Sequence, residues 1–410
     1  MKILFLHALA DIDRGGGAEV IVWEQMRGLR AAGHDCVLLV TSDQAGLTRS
    51  EQDGITVWRA GIRNVYWPYQ KKRPAALMRL LWHGLDSINP WMQDYLKDVL
   101  VQERPDVASL HNLSGWSAAS LGTLAKFHVP IVQVLHDYYL ICAKANMYNK
   151  EQNCTRQCAT CRAFRLPHRN LSRRVQAVVG VSQFIIDRHR SLGYFDGVPI
   201  QRAIHNARAL RTLGIEDAPT APLHDGVRFG YIGRLDRSKG IEPLIAAFLQ
   251  ADIPGSELWI AGSGQQGYEQ RLRGLIRDSR IRLLGRQRPA EFYPQVDLIV
   301  VPSLWNDNLP GVVFEAFAFG KPVIGARRGG IPEMIRDGYN GWLVEPTDIS
   351  ALANLMCSLH ARRELLAAAS YAARVSATPY TDLRTWVQRY EELYREAISI
   401  QRHALFDERP

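Results

Sequence analysis

Residues Val227–Gly240 read VRFGYIGRLDRSKG, and this stretch decides the fold class. Val227–Ile232 has the character of a buried strand, and it ends at Gly233. After a short polar turn, Gly240 opens a segment of helical spacing that continues through Ile241–Leu249. A strand that leads through a glycine turn into a helix is the repeating unit of a parallel sheet covered by helices. The stretch therefore predicts an α/β domain.

The same plan recurs on both sides of this stretch. In the second half, further strands are predicted at Leu258–Ala261, Ile281–Leu284, Leu298–Val301 and Val323–Gly325. In the first half, strands are predicted at Lys2–His7, Cys36–Val40, Val107–His111, Ile131–Leu135 and Ala177–Val181, and helices at Trp91–Glu103 and Gly115–Phe127. Alternation of this kind predicts two doubly wound, Rossmann-like domains that face each other across a cleft.

Three segments follow from this pattern. Residues 1–205 form a first Rossmann-like domain, residues 206–380 a second, and residues 381–410 a helix and tail. The linker is expected near residues 206–225, which are mixed in composition and contain two prolines. Because the last helix, Asp382–Ile398, has an aromatic face and follows a completed sheet, we expect it to pack back against the first domain.

Composition and charge limit the function classes. The 410 residues are 47% hydrophobic and carry a net charge of +9, of which the first 205 residues supply +8. A one-sided basic surface suggests an anionic partner, such as a nucleic acid, a phospholipid or an anionic substrate, although a solvated surface is the alternative. No recognition helix or interleaved aromatic and basic strand supports a nucleic acid. No apolar run reaches the roughly 20 residues of a membrane span, and the start lacks a signal peptide, so a cytoplasmic location is expected.

Two cations lie in the opening stretch beside a predicted helix start. Arg234 directly follows Gly233, and Lys239 precedes Gly240. The N-terminus of a helix offers free N–H groups and a positive dipole end, and two cations add charge to it. This arrangement suits a diphosphate, while an ordinary surface turn is the alternative.

A second motif lies at Ser303–Gly320, which reads SLWNDNLPGVVFEAFAFG. Asp307 and Glu315 are carboxylates eight residues apart, and the segment between them, Asn308 to Gly311, reads as a turn that starts a helix. Glu315 lies in apolar surroundings, where an unpaired carboxylate is costly, so it requires a partner. A ligand hydroxyl and a structural hydrogen bond are both candidates.

These motifs resemble the retaining glycosyltransferases of family four, which have the two-Rossmann-domain architecture called GT-B. That family has Glu-x7-Glu where this chain has Asp307-x7-Glu315, followed here by Gly320-Lys321-Pro322-Val323. Gly329–Glu333 and Asp337–Gly341 also match in sequence and spacing, and Gly15–Glu19 resembles the family's N-terminal glycine loop. The resemblance covers roughly residues 1–400.

The resemblance implies roles for individual residues. Arg234 and Lys239 would bind the donor diphosphate and stabilise the leaving group. Glu315 would hold the ribose hydroxyls, and Asp307 would contact the transferred sugar. Asp307 is one methylene shorter than the family's glutamate, which shortens its reach by about 1.5 Å. The remaining residues that the resemblance places at the donor are Gly16, Gly17, Gly233, Asn308, Leu309, Pro310, Gly311 and, near the sugar, His136. Glu19 and His111 would lie on the acceptor side.

The implied activity is transfer of a sugar, with retention of configuration, from a UDP- or GDP-linked donor. The expected acceptor is a glycan or a polyisoprenyl-linked glycan in bacterial surface polysaccharide assembly. No catalytic metal or other cofactor is expected. The alternatives are a nucleotide-sugar-binding module without transferase activity and a sugar phosphorylase. No lysine has a setting suited to pyridoxal phosphate, which disfavours the phosphorylase.

Two further segments leave alternatives open. Cys142, Cys154, Cys158 and Cys161 end in a C-x2-C pair, so they predict either a structural zinc site or a set of reduced thiols. Tyr66–His83 reads YWPYQKKRPAALMRLLWH and joins aromatic, basic and apolar residues. Such a segment predicts contact with an anionic membrane, at the inner face of the cytoplasmic membrane, or a helix packed on the first domain.

Overall fold

The computed structural model describes residues 1–11, 16–70, 74–215 and 225–407, without the side chains of 405–407. The chain divides into two compact units. Unit 1 contains Met1–Met147, Cys154–Asn206 and Leu383–Pro410, and unit 2 contains Tyr148–Asn153 and Ala207–Asp382. Each unit is built on a large, mainly parallel sheet, which confirms the prediction of two Rossmann-like domains.

The strands and helices follow in chain order. The strands are β1 (Lys2–Leu6), β2 (Asp35–Ser42), β3 (Leu47–Gln52), β4 (Ile55–Gly61), β5 (Val107–Leu110), β6 (Ile131–Leu135), β7 (Tyr148–Asn149), β8 (Gln152–Asn153), β9 (Ala177–Gly180), β10 (Ile200–Ala203), β11 (Arg228–Ile232), β12 (Glu257–Ala261), β13 (Ile281–Gly285), β14 (Leu298–Val301), β15 (Val323–Ala326) and β16 (Gly341–Val344). The helices are α1 (Gly17–Ala31), α2 (Ala76–Ser87), α3 (Met92–Glu103), α4 (Ala119–Lys126), α5 (Ala159–Leu171), α6 (Gln183–Arg190), α7 (Leu210–Leu213), α8 (Ile241–Ala251), α9 (Gln266–Leu275), α10 (Pro289–Phe292), α11 (Gly311–Ala318), α12 (Ile331–Met334), α13 (Ile349–Ala361), α14 (Arg363–Ser376), α15 (Thr378–Thr381) and α16 (Leu383–Asp407).

Unit 2 has a six-stranded parallel sheet in the order β13-β12-β11-β14-β15-β16. Numbered within the unit, this is the 3-2-1-4-5-6 order of a dinucleotide-binding fold. The buried side chains of Phe229 and Val300 belong to one core, against which α8 and α13 pack. The strand order reverses between β11 and β14, and ligands of such sheets bind beyond the carboxyl ends of the strands at that point.

Unit 1 has an eight-stranded sheet in the order β10-β9-β6-β5-β1-β2-β4-β3, in which β3 is antiparallel to β4 and the other pairs are parallel. Its order reverses between β1 and β5. Three histidines follow three neighbouring strands at the same edge: His7 after β1, His111 after β5 and His136 after β6. The reversal therefore places a cluster of imidazoles beyond the ends of the central strands.

Helix α16 belongs to unit 1, which confirms that the C-terminal helix returns to the first domain. Its predicted apolar face is buried, and it packs against α1. The Tyr394 hydroxyl donates to Ser109 Oγ at 2.9 Å and accepts from Gln25 Nε2 at 3.0 Å. The helix extends nine residues beyond the predicted end at Ile398.

Two local features depart from the sequence pattern. Strand β3 (LTRSEQ) is mostly exposed at the edge of the sheet, so it has no apolar alternation by which to predict it. Helix α4 begins at Ala119 rather than at Gly115, because Ser117 has a φ of 64° and interrupts a right-handed helix. Over the described ranges, no helix is both long enough and apolar enough to cross a bilayer.

Candidate active site

The turn between β11 and α8 carries the two predicted diphosphate ligands. Arg234 follows β11 and is exposed. Asp236 accepts hydrogen bonds from the Ser238 N–H at 3.0 Å and the Ser238 hydroxyl at 2.5 Å, and so caps a short 3-10 turn that ends at Lys239. Gly240 has a φ of 73°, and a Cβ atom there would lie 1.9 Å from the carbonyl oxygen of Pro302. Glycine is therefore required for this turn to approach the loop after β14.

Lys239 and Asp307 form an ion pair in unit 2. The Lys239 ammonium lies 2.5 Å from Asp307 Oδ2, and it also lies 5.1 Å from the centre of the Trp305 ring. The two side chains are 21% and 10% exposed. Tertiary structure thus joins two predicted site residues that are 68 positions apart in sequence.

The backbone of Asp307 is fixed by the glycine motif that follows β15. The Gly330 N–H donates to the Asp307 carbonyl at 2.8 Å. Gly329 has a φ of 59°, and a Cβ atom there would lie 1.9 Å from the same carbonyl oxygen. The Gly329–Glu333 motif therefore serves to hold the loop that carries Asp307.

Asn153 holds the same loop through its side-chain amide, and no motif in the sequence predicts this contact. Its Nδ2 donates to the Leu304 carbonyl at 2.7 Å, and its Oδ1 accepts the Asn306 N–H at 2.8 Å. Strands β7 and β8 have only two residues each, too few for a strand pattern to be recognised. Glu151, in the turn between them, pairs with Arg237 at 2.8 Å.

Glu315 lies in α11 and has two partners that the sequence analysis missed. Arg208 donates to its Oε1, and the Tyr293 hydroxyl donates to its Oε2 at 3.0 Å. The Glu315 side chain is 12% exposed. The expectation that this carboxylate needs a partner is met by side chains of the chain itself.

The segment before α11 is largely enclosed. Asn308, Leu309 and Pro310 are buried, and Gly311 is the first residue of the helix. The Pro310 carbonyl accepts the Val313 N–H at 3.1 Å, which starts the helix. Contact of these four residues with a donor stays a prediction.

In unit 1, Glu19 lies in the first turn of α1 beside His7. Its Oε2 accepts the Gly16 N–H at 2.6 Å, and its Oε1 lies 3.3 Å from His7 Nε2. Burial alone would raise the pKa of Glu19, but the hydrogen bond and charge of His7 together with the Gly16 N–H lower it to about 2. Gly15 lies outside the described residues. A Cβ atom at Gly17 would meet no atom within 4 Å, so packing within the described chain does not require glycine there.

His111 and His136 form a pair of neutral imidazoles. His111 Nδ1 lies 2.9 Å from His136 Nε2, and the rings stack at 5.1 Å. Burial, reinforced by the neighbouring imidazoles, lowers the pKa of His111 well below its usual range, and burial with the charge of His7 lowers that of His136 to about 3. Near neutral pH both rings therefore act as uncharged hydrogen-bonding groups.

A chain of hydrogen bonds connects α16 to this pair. The Tyr394 hydroxyl donates to Ser109 Oγ, which lies 3.1 Å from His111 Nε2. When Ser109 donates to Nε2, His111 carries its proton on Nδ1 and donates to His136 Nε2. The C-terminal helix thereby reaches the histidine pair through Ser109.

The cysteine cluster lies apart from these groups in the sequence. All four cysteines are free thiols, and Cys161 Sγ lies 3.8 Å from Cys142 Sγ. The hydrogen bond with Cys161, with help from backbone N–H groups of the following turn, lowers the pKa of the Cys142 thiol to about 5. Within the described part of the chain, no three His, Cys, Asp or Glu side chains are arranged to hold a metal ion. The four-thiolate zinc site stays a prediction. Metal analysis of freshly purified protein tests it, because a zinc content below about a tenth of an equivalent would exclude an occupied structural site.

The predicted residues thus lie in both units, and family models match both units. Residues 16–206 match a "Glycosyl transferase 4-like domain", and residues 226–362 match "Glycosyl transferases group 1". The chain belongs to the group 1 glycosyltransferases. The two matches include every predicted site residue, from Gly16 and Glu19 in the first to Glu315 in the second.

Two relatives are similar to this chain over different lengths. A 42.6 kDa protein from the cps region of Klebsiella pneumoniae is 27% identical over 345 residues, which are 84% of this chain and 90% of that protein. A D-inositol 3-phosphate glycosyltransferase of Corynebacterium kroppenstedtii is 30% identical over 211 residues, 47% of this chain and 44% of that enzyme.

Solved structures share the fold of this glycosyltransferase. Sucrose-phosphate synthase from Thermosynechococcus elongatus has a TM-score of 0.75 at 20% identity, over 97% of this chain and 99% of that one. The Anabaena protein HepE in complex with UDP has a TM-score of 0.70 at 19% identity, over 96% and 99%. At these identities the likeness establishes the GT-B fold.

Proposed function

We propose that this glycosyltransferase transfers a sugar, with retention of configuration, from a UDP- or GDP-linked donor to a glycan or polyisoprenyl-linked glycan in bacterial surface polysaccharide assembly. The Klebsiella relative from a cps region supports the polysaccharide context. The fold shared with HepE, whose structures contain UDP and UDP-glucose, supports a nucleotide sugar as the donor.

The Lys239–Asp307 pair at the β11/β14 reversal is the observation that carries the proposal. A diphosphate that enters beyond the carboxyl ends of these strands competes with Asp307 for the Lys239 ammonium. Arg234, exposed on the same turn, supplies a second cation. Asp307 then becomes available to hydroxyl groups of the sugar. Donor binding thus exchanges an internal ion pair for two contacts with the substrate.

The charge of these residues also favours the reaction. As the bond from the anomeric carbon to the phosphate oxygen breaks, negative charge grows on the nucleoside diphosphate and positive charge on the sugar. Fixed cations stabilise the departing diphosphate more than the bound ground state, which lowers the barrier. The acceptor oxygen bonds to the anomeric carbon on the face that the leaving group vacates, and its proton passes to the departing phosphate oxygen. This route uses no protein nucleophile and no metal.

A binding and product assay tests the donor assignment. Thermal shifts are measured with UDP, GDP, UDP-glucose and GDP-mannose, and a ligand at 100 times its Kd is expected to stabilise the protein by about 2.7 kcal/mol. The anomeric configuration of the product or of the hydrolysed sugar is then followed by NMR as it forms. Failure of every nucleotide to shift Tm would refute the donor site, and an inverted product would refute the mechanism.

We propose further that α2 contacts an anionic membrane. Its outward face carries four exposed apolar side chains, with Leu77 66% and Leu81 50% exposed. Leu166 is exposed on α5, which packs against α2. The basic residues Lys71, Lys72 and Arg73 precede the helix in sequence but lie outside the described residues. An apolar helix face in a half-chain of charge +8 suits an anionic bilayer surface.

Vesicle flotation tests this contact. The protein is expected to float with vesicles of phosphatidylcholine and phosphatidylglycerol and to remain below pure phosphatidylcholine vesicles. Leu77→Gln with Leu81→Gln should reduce flotation, whereas Leu275→Gln, at a 42% exposed leucine of unit 2, should not. Equal recovery with both vesicle types would count against the proposal.

A further inference from the structure

We propose that Arg208 and Tyr293 are positioning residues, which orient the Glu315 carboxylate to accept the two ribose hydroxyls of the donor nucleotide. The inference rests on the proposed function, because it names how one group of the donor site is held. Each of the two residues binds a different oxygen of the carboxylate: Arg208 donates to Oε1 and the Tyr293 hydroxyl donates to Oε2.

The Glu315 carboxylate can accept further hydrogen bonds from a ligand. An ionised carboxylate offers about four acceptor positions, two on each oxygen. Arg208 uses one position on Oε1 and Tyr293 uses one on Oε2. Each oxygen therefore retains a further acceptor position, and two contacts on opposite oxygens fix the plane in which both lie. Two adjacent hydroxyls of a ribose match two such acceptors.

Arg208 is held by its backbone as well as by its side chain. Its N–H donates to the Tyr380 carbonyl at 2.8 Å. The ring of Tyr380 stacks on Phe314, the residue before Glu315, at 5.6 Å with an interplanar angle of 8°. Tyr380 thus contacts both the backbone of Arg208 and the helix that carries Glu315. The ion pair between Arg208 and Glu315 therefore has a defined geometry.

Tyr293 is held just as firmly. It is fully buried, and its ring stacks on Phe319, one turn beyond Glu315, at 5.0 Å and 20°. Burial, and secondarily the charge of Glu315, raises the pKa of the Tyr293 hydroxyl well above its usual range, so that it remains a hydrogen-bond donor at all working pH values. A donor with a fixed ring and a retained proton suits the orientation of a carboxylate.

A purely structural role for these contacts would make a different prediction. If Arg208 and Tyr293 only neutralise a carboxylate in an apolar helix, their removal lowers stability and weakens all nucleotides alike. If they orient Glu315, their removal weakens ribonucleotides selectively, because only those present both hydroxyls. The discriminating quantity is the ratio of Kd for the 2′-deoxynucleotide to Kd for the ribonucleotide.

Calorimetric titration of the full chain measures this ratio with UDP against 2′-deoxy-UDP and GDP against 2′-deoxy-GDP. For the base that binds, the wild-type chain is expected to prefer the ribonucleotide about 10- to 100-fold, as for a hydrogen bond to a charged group. Arg208→Met and Tyr293→Phe should each reduce that preference to within about threefold, with the affinity for the 2′-deoxynucleotide changed by less than about threefold. Glu315→Gln should do the same, and Arg211→Met, at an exposed arginine three residues from Arg208, should retain the full preference.

The outcomes separate the two levels of the proposal. Absence of binding by all four nucleotides in the wild-type chain would reject the donor site itself. Binding without any preference for ribose, or a full preference retained in both Arg208→Met and Tyr293→Phe, would reject the positioning role and leave the donor site standing. If Arg208→Met does not fold, Tyr293→Phe, which keeps the stacked ring and removes one hydroxyl, decides the question alone.

Discussion

Replacement of Lys239 by methionine separates what the Lys239–Asp307 pair does for catalysis from what it does for folding. Methionine keeps most of the aliphatic stem but removes the ammonium that lies 2.5 Å from Asp307. Loss of one fixed cation beside the leaving group is expected to lower kcat about 10²- to 10³-fold. The same change leaves the Asp307 carboxylate, which is 10% exposed, without its cation.

The stability cost follows from this burial. Removal of one partner from a fully buried pair costs about 3–5 kcal/mol. Because the Lys239 side chain is 21% exposed, water can partly solvate the carboxylate that remains, and we expect about 2–3 kcal/mol. For a unit of this size that corresponds to a fall in Tm of roughly 5–10 °C. Addition of Asp307→Asn removes the unpaired charge, so the double variant should regain most of the lost stability.

The double variant is thus expected to regain stability without regaining activity. The single variants and the double variant are compared by calorimetric melting without ligand and by initial rates with saturating donor. Lys239→Met should be both unstable and inactive, and the double variant should be stable and still inactive. A double variant that regains activity together with stability would refute the catalytic role of Lys239. An unchanged Tm in Lys239→Met would refute the claim that the Lys239–Asp307 pair stabilises the fold.

Three further predictions concern other parts of the site. Asn153→Ala removes two hydrogen bonds to the loop before Asp307. Initial-rate assays should then show a kcat/KM for the donor that is about tenfold lower. An unchanged value would show that β7 and β8 do not position the loop. Because burial depresses the pKa of His136 to about 3, its imidazole becomes charged only well below pH 5. The pH profile of kcat/KM should therefore show no inflection from His136 between pH 5.5 and 8. An inflection near pH 6.5 that His136→Gln abolishes would contradict this. Tyr394→Phe removes the hydrogen bond to Ser109, and ¹⁵N NMR should then show a changed ratio of the imidazole tautomers of His111 and His136. An unaltered spectrum would show that Tyr394 does not control these tautomers.

The proposed mechanism uses no metal, and this leads to a further prediction. Activity should survive an excess of chelator, because fixed cations, rather than a bound ion, balance the charge of the leaving group. Loss of activity in chelator that magnesium or manganese restores would contradict the mechanism.

The amino-acid sequence by itself determined the fold class and identified part of the proposed donor site. Val227–Gly240 and Ser303–Gly320 carry short-range signals, in which a strand, a glycine turn and a helix follow one another within a few residues. Such signals depend on local backbone preferences and hydrophobic spacing, which a single sequence displays. The alternation of strands and helices likewise fixed the parallel sheets, because parallel strands require crossover connections.

Only the tertiary structure decided which side chains meet. Lys239 reaches Asp307, Arg208 reaches Glu315, and Asn153 reaches the loop at Leu304 across separations of 68, 107 and 151 residues. No local periodicity encodes these pairings. They arise from the strand order β13-β12-β11-β14-β15-β16 and from the hairpin of β7 and β8, whose two-residue strands are too short to show a pattern. The sequence identifies the charged groups of the proposed donor site, whereas the packed chain decides which of them neutralise one another before a substrate binds.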